Sequence, residues 1–406
     1  PPASPFAPDP RLPFAVGNAL AAPWATLPPG ALLGLAAGQQ DLVRPYVKIT
    51  LGARQSVVQL EQLDNPLNLL DGGLDLAFVV LHLVPLVIIA LGYALLTGER
   101  EAGTLGLLLS QPITVGRLLT AKLVVRAGLV LGLVLVASWM AAALTGGWQA
   151  PGGLSAMALW SLAVVGWVGF WFAACVLANT RPGATSAANA VGLVALWLVL
   201  VVVAPAVVSA VAQWRHPTPS RVALIGEVRD AGNAANAKGT ELLKQFYGDH
   251  PELAPAGTVD LQDFAARRLV VQEAVDRTVN PVLDRFTAQV AAQQALVQRW
   301  QWLSPAIALH AALLEAAGTG ASRYRRFETA VVDFHARWLG YFAERIYAKR
   351  SLAPRDLARL PTWQWEEPSA AAVARTTMPS VGLLWLVAAM AVGLAWRGAR
   401  RVRVLG

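Results

Sequence analysis

The chain has 406 residues, 55% of them hydrophobic and only 14% charged, and its mean hydropathy is +0.48. That is too apolar for a water-soluble protein of this length, so long stretches must leave the water and the class is integral membrane. The net charge of +8 is accounted for by membrane-flanking arginines, which removes nucleic acid from the expected partners, and a single cysteine, Cys175, leaves no disulfide framework within the chain.

In chain order, residues 1–75 open on a Pro-rich run to Gly30 and carry a predicted helix across Asp41 to Leu63. A membrane helix needs roughly 20 apolar residues to cross about 30 Å of hydrocarbon. Five stretches qualify: Leu76 to Leu96, Ala127 to Leu144, Leu154 to Ala178, Ala188 to Val211, and Thr376 to Trp396. Lipid leaves backbone groups without water, so such runs are helices. Pro85 and Pro205 fall inside two of them, where neighbouring helices make a kink tolerable. The predicted fold is all-α and polytopic.

Basic residues in the short connections set the orientation. The segment 97–126 carries Arg100, Arg117, Lys122 and Arg126, the next turn on that side carries Arg181, and the tail 397–406 carries Arg397, Arg400, Arg401 and Arg403. The loop "TGGWQAPGG" from Thr145 to Gly153 carries none. The basic segments therefore face the cytoplasm, and residues 1–75 and 212–375 lie outside it. A chain that starts outside without a leader, at "PPASPFAPDP", implies a preceding helix and six spans in the intact protein.

The stretch 212–375 has apolar residues at helical spacing and reads as a helical extracytoplasmic domain completed by the N-terminal segment. Asp260 to Leu303 is a long helix with Asp263 near its start and an interruption near Pro281. Ser304-Pro305 opens a shorter one ending near Gly318, and Tyr324 to Tyr347 forms another. Trp214 suits the membrane interface, Trp300 and Trp302 are expected to pack the domain against the membrane-proximal surface, and Arg323, Arg325 and Arg326 read as a solvated helix face.

The most pointed stretch is "TGEREAGTL", Thr97 to Leu105, with three ionisable residues and two glycines at the edge of a span. Gly98 and Gly103 let the backbone turn, Leu105 to Leu109 begins a short helix, and Pro112 with Thr114 looks like a further start leading to Arg117 and Lys122. The result is an interfacial elbow with a charged face.

The longer string "GEREAGTLGLLLSQP" resembles the cytoplasmic segment of ABC-2-type permeases, particularly the branch that includes the permease of nitrous-oxide-reductase maturation. "DNPLNLLDGGLDLAFVVLHLVPLVIIALGYALL" before it and "WLSPAIALHAALLEAAGTGASRYRRFETAVVDFHARWLGYF" in the outer domain resemble permeases of that type with a large extracytoplasmic insertion. The resemblance implies that Glu99, Glu101, Gly103 and Thr104 occupy an acidic motif, with Arg100 at its variable place. It also implies that Gln111, Pro112, Arg117 and Lys122 belong to the region that meets an ATPase. The implied assembly has two ABC ATPase subunits and a second identical or homologous permease protomer, with export as its direction, a bacterial cytoplasmic membrane as its place, and an extracytoplasmic partner as an option.

ATP and Mg belong to the expected ATPase partner, since no Gly-rich loop ending in Gly-Lys-Ser/Thr is present here. The histidines at 82, 216, 250, 310 and 335 show no metal-ligand spacing, and no serine sits in a nucleophile elbow. Neither a catalytic site nor a cofactor is expected in this chain. His82, three residues before Pro85, is the ionisable residue inside a span, and the pair are the candidate pathway residues. The rival reading is an ATPase-linked scaffold or mechanotransmitter that acts on an extracytoplasmic partner without moving a cargo.

Overall fold

The structure, a computed structural model, describes residues 9–38, 45–52, 74–217, 221–255 and 259–401. Among them, five helices are long and apolar enough to cross a membrane: Leu76–Glu101, Val115–Leu144, Gly153–Asn179, Ser186–Arg215 and Ala370–Arg400. These are the first to fifth spans below. The chain is a mostly all-α polytopic membrane protein, with further helices between the fourth and fifth spans.

The third span is the hub. Within its most apolar window 72% of the residues are buried, against 17% for the fourth, which lies at the edge. Trp160, Trp167 and Trp171 recur at seven and four residues, so they share one face, and all three are fully buried. Among the described residues, five indole N–H groups tie pairs of spans together, one of them Trp139 Nε1 of the second span, which donates to Ser161 Oγ of the third at 3.3 Å. Trp160 Nε1 donates to Ser138 Oγ at 3.1 Å, Trp167 Nε1 to Val80 O at 2.9 Å, Trp197 Nε1 to His82 O at 3.1 Å, and Trp385 Nε1 to Leu162 O at 3.0 Å. An indole matched this way brings a large apolar ring into the bundle without an orphaned donor.

Both expected prolines sit just after a widened turn. A π-helical turn, Val79–Leu83, leads to Pro85, and another, Leu198–Val203, leads to Pro205. Proline cannot donate to the preceding turn and its ring crowds a carbonyl there, so carbonyls are released. Side chains from elsewhere take them up: the Trp167 and Trp197 indoles at the first site, and the Ser304 hydroxyl on Leu200 O at the second.

The region outside the spans, called the head here, has its own core. Leu243, Leu269, Val270, Phe327, Phe334, Trp338 and Phe342 pack against Ala25, Val47, Ile49 and Leu51 of the N-terminal segment. Trp338 Nε1 donates to Gly17 O at 2.9 Å, joining residues more than 300 positions apart in sequence. The helix expected across 41–63 is not formed over 45–52; the rest of that range lies outside the described residues. Instead β1 (Trp24–Thr26) and β2 (Tyr46–Lys48) form an antiparallel ribbon in which Ala25 faces Val47. Both residues are buried while their neighbours are exposed, and this two-residue alternation is the strand period.

Three other expectations change. The long helix, Phe264–Arg299, runs through Pro281 without a break, capped by the Asp263 carboxylate on Ala266 N. Proline costs a helix interior about 3 kcal/mol, but Val275, Val279 and Leu283 flank it and pack on helix Arg221–Ala237, which holds the helix together. The short helix Pro305–Ala317 is almost wholly apolar and packs in the bundle core beside the third and fifth spans, rather than in the head. Trp300 and Trp302 stay exposed instead of packing onto a neighbouring surface.

Arg323 is not solvated. It is buried, donates through Nε and Nη2 to the Glu367 carboxylate, and reaches Pro28 O at 2.9 Å. Arg325 bonds Gln294 across to the long helix, and Arg326 is exposed.

Glu328, on the helix Ala321–Tyr347, is pushed by burial from 4.5 up to about 7, with Arg325 opposing the shift. An acid whose folded value is raised favours its protonated form in the fold. Its contribution is present below pH 4.5 and is lost as pH rises through about 7. Thermal unfolding of wild type should therefore occur at lower temperature at pH 7.5 than at pH 5, and Glu328→Gln should flatten that difference. A Gln variant with the wild-type pH profile would rule out Glu328 as its source.

Candidate functional site

The elbow begins where the first span stops being regular. Its α-helix ends at Gly92, residues 93–96 form turns, and helix resumes at Thr97–Glu101. Irregular backbone at the edge of a bilayer needs partners from other elements, and here three spans supply them. Asn179, the last residue of the third span, accepts from Leu96 N at 2.9 Å and Thr97 N at 3.2 Å, while its Nδ2 donates to Gly92 O at 2.9 Å. Asn189 of the fourth span donates to Tyr93 O at 3.1 Å. From the second span, Lys122 donates to Leu95 O at 3.0 Å and Arg126 to Leu91 O. Thr97 and Asn179 are fully buried.

The acidic motif closes the elbow on itself and on its neighbours. Glu99 accepts from Thr104 Oγ1 at 2.6 Å and from Lys122 Nζ at 2.9 Å. Glu101 accepts from Ser186 N at 2.7 Å, which puts a carboxylate at the N-terminus of the fourth span, where a helix favours negative charge. Gly103 has φ +71° and follows the last turn as a left-handed cap: its own N–H returns to Arg100 O and that of Thr104 to Glu99 O. Gly103 thus ends one short helix so that Leu105–Leu109 can begin the next.

A Cβ at Gly103 would meet nothing within 4 Å, so a substitution there meets only backbone strain. Gly103→Ala should cost about 1 kcal/mol through the left-handed conformation. Thermal unfolding of the purified protein measures it, and a neutral result would mean that the elbow relaxes without loss.

The site residues expected from sequence divide into two sets. Glu99 and Glu101 fix the elbow to the bundle through Lys122 and Ser186, while Gly103 and Thr104 close the elbow on itself. Arg100, Gln111, Pro112 and Arg117 are exposed. The expected helix start at Pro112 is displaced to Val115, capped by Thr114 Oγ1 on Arg117 N at 3.3 Å, and that helix continues as the second span. Arg117 and Lys122 therefore lie on the opening turns of a span, not on a separate element. Leu107, 74% exposed, is an apolar residue on the elbow's free surface.

The candidate pathway pair lies near the other end of the first span. Pro85 is buried, and His82 is half-buried, its ring stacked on Phe78 with centroids 4.4 Å apart. His82 Nδ1 lies 3.2 Å from Phe78 O of its own helix, so the ring's contact is local rather than across the bundle. Between bundle and head is a cavity of about 350 Å³, lined by Pro28, Ala150, Pro151, Glu315, Arg326 and the Arg323–Glu367 pair. Neither His82 nor Pro85 reaches it. Among the described residues, no three His, Cys, Asp or Glu side chains are grouped to hold a metal ion.

Sequence reasoning missed Asn179, Asn189, Thr97 and Ser186. The available sign was a polar amide placed at each edge of the Arg181 turn, Asn179 closing one apolar run and Asn189 opening the next.

Residues 221–366, well under half of the chain, match a family model described as a domain of unknown function, DUF3526. No curated protein matches the chain. The matched segment takes in most of the head and the short helix that enters the bundle. The chain is a polytopic helical membrane protein whose region between the fourth and fifth spans is similar to DUF3526.

Proposed function

We propose that this chain is the transmembrane permease subunit of an ABC-2-type transporter in a bacterial cytoplasmic membrane, coupled to separate ATPase subunits and exporting its substrate. The observation that carries this reading is the elbow. It is bonded to the second, third and fourth spans through Glu99–Lys122, Thr97–Asn179 and Glu101–Ser186, yet leaves Arg100, Leu107, Gln111 and Pro112 exposed. An element built this way passes a push on its free face to several helices at once, because bonded and packed segments move as units. Two permease protomers and two ATPases form the assembly, with the head and its N-terminal segment on the far side of the membrane.

A second reading has a specific support. The short helix Pro305–Ala317 joins the core of the third and fifth spans directly to the head. Motion of the spans would reach the head through that helix, as an ATPase-driven mechanotransmitter acting on an extracytoplasmic partner requires.

Cysteine cross-linking tests the elbow's role. Cys175 is buried, so Leu107→Cys places an accessible thiol on the elbow. In membranes that contain the full complex, a short bifunctional reagent should join this thiol to an ATPase subunit, while a cysteine at Trp302 stays unlinked. No adduct from Leu107→Cys, in a complex that still contains the ATPase, would remove the elbow from the docking surface.

A further inference from the structure

The second, third and fifth spans leave a groove of about 670 Å³ between them, at the end where the second begins and the fifth finishes. Its walls are apolar, including Leu119, Phe172, Val176 and Val392. At its mouth stand two arginines, Arg117 and Arg400, and among the described residues no carboxylate lines it. The Arg400 guanidinium lies 3.4 Å from the centroid of the Trp396 ring, held at the interface by an aromatic face. Neither arginine has an ion-pair partner among the described residues. The floor is open because of Gly169, where a Cβ would meet nothing within 4 Å.

We propose that this groove binds an anionic phospholipid, with an acyl chain along the apolar trough past Gly169 and the phosphate between Arg117 and Arg400. The charges select the occupant. Guanidinium groups hold phosphate oxygens through paired, charge-assisted hydrogen bonds, and basic pockets between spans suit anionic headgroups. A zwitterionic lipid would bring an ammonium group towards two cations with no carboxylate among the described lining residues to receive it. An apolar helix from another subunit would fill the trough but leave both guanidiniums without a counter-charge. The proposal needs only that the spans cross a bilayer and is independent of any ATPase.

Thermal unfolding of the delipidated full-length protein in detergent, titrated separately with phosphatidylglycerol, phosphatidylcholine and inorganic phosphate, tests it. Phosphatidylglycerol should raise the unfolding temperature by several degrees, and the other two should not. The double variant Arg117→Gln, Arg400→Gln should weaken the apparent affinity for phosphatidylglycerol about tenfold or more, as the loss of two charge-assisted contacts implies. Gly169→Leu, which fills the trough, should abolish the shift; if that variant does not fold, the arginine pair decides alone. Equal stabilisation by phosphatidylcholine, an equal shift with inorganic phosphate alone, or an undiminished shift in the arginine variant would overturn the proposal. So would a Gly169→Leu protein that loses a subunit while binding phosphatidylglycerol as before, since the groove would then hold a second copy of the chain.

Discussion

Asn179→Leu should be the most damaging single substitution at the elbow, lowering stability by about 3 kcal/mol. The leucine is similar in size but leaves Leu96 N, Thr97 N and Gly92 O without the partner they have now. Measured intramembrane hydrogen bonds average well under 2 kcal/mol each, and an orphaned buried group costs about 1–3 kcal/mol. Three such groups sum to about 3 kcal/mol when each is taken near the low end of that range. The amide also donates to Cys175 O, but that carbonyl belongs to its own helix and its loss matters less. Thermal unfolding in detergent reads the effect, with Cys175→Ala as a control one turn away that should cost far less, because no strong hydrogen bond goes with it. If Asn179→Leu unfolded at the wild-type temperature, the turn at 93–96 would not depend on this amide.

On the proposed permease reading, the second large effect is on coupling. Arg100→Glu, combined with Leu107→Asp, should lower ATP hydrolysis by the intact complex about tenfold or more, because charge and apolar contact are reversed on the elbow's exposed face. About 1.4 kcal/mol lost from an interface corresponds to that factor, and central contacts at interfaces reach it. Neither side chain is buried, so folding and membrane insertion should be unchanged. Glu101→Arg is the less clean probe: it should also lower activity, but it removes the carboxylate from Ser186 N and so disturbs the start of the fourth span. Steady-state phosphate release from the purified complex measures both. An Arg100→Glu, Leu107→Asp complex with wild-type turnover and normal subunit content would place the coupling surface elsewhere.

The spans were legible because a membrane helix is defined by length and hydropathy, both carried by the sequence itself, and each observed span contains its expected stretch. Polar chemistry was less so. The acidic motif could be picked out, but its partners could not: Glu99 and Glu101 bond to Lys122 and Ser186, residues 23 and 85 positions away. Arg100, at the motif's variable place, is exposed. Arg323 illustrates the same limit. Its counter-charge is Glu367, 44 residues on, so a basic triplet that looks solvated locally holds a buried arginine paired with a carboxylate at the surface. The ribbon of β1 and β2 was hidden in a segment with strong helix-forming neighbours. The short helix Pro305–Ala317 was found with its correct ends, marked by Ser304 and Gly318, but its place in the bundle follows from packing with the third span, far earlier in the chain, and the fifth, which comes after it.

The most direct measurement of the central claim is purification of the full-length protein, co-expressed with its chromosomal neighbours, in mild detergent, followed by mass spectrometry and an ATP hydrolysis assay. The permease reading predicts a stoichiometric ATPase in the complex and vanadate-sensitive turnover. A stable, folded protein that carries no ATPase would contradict it.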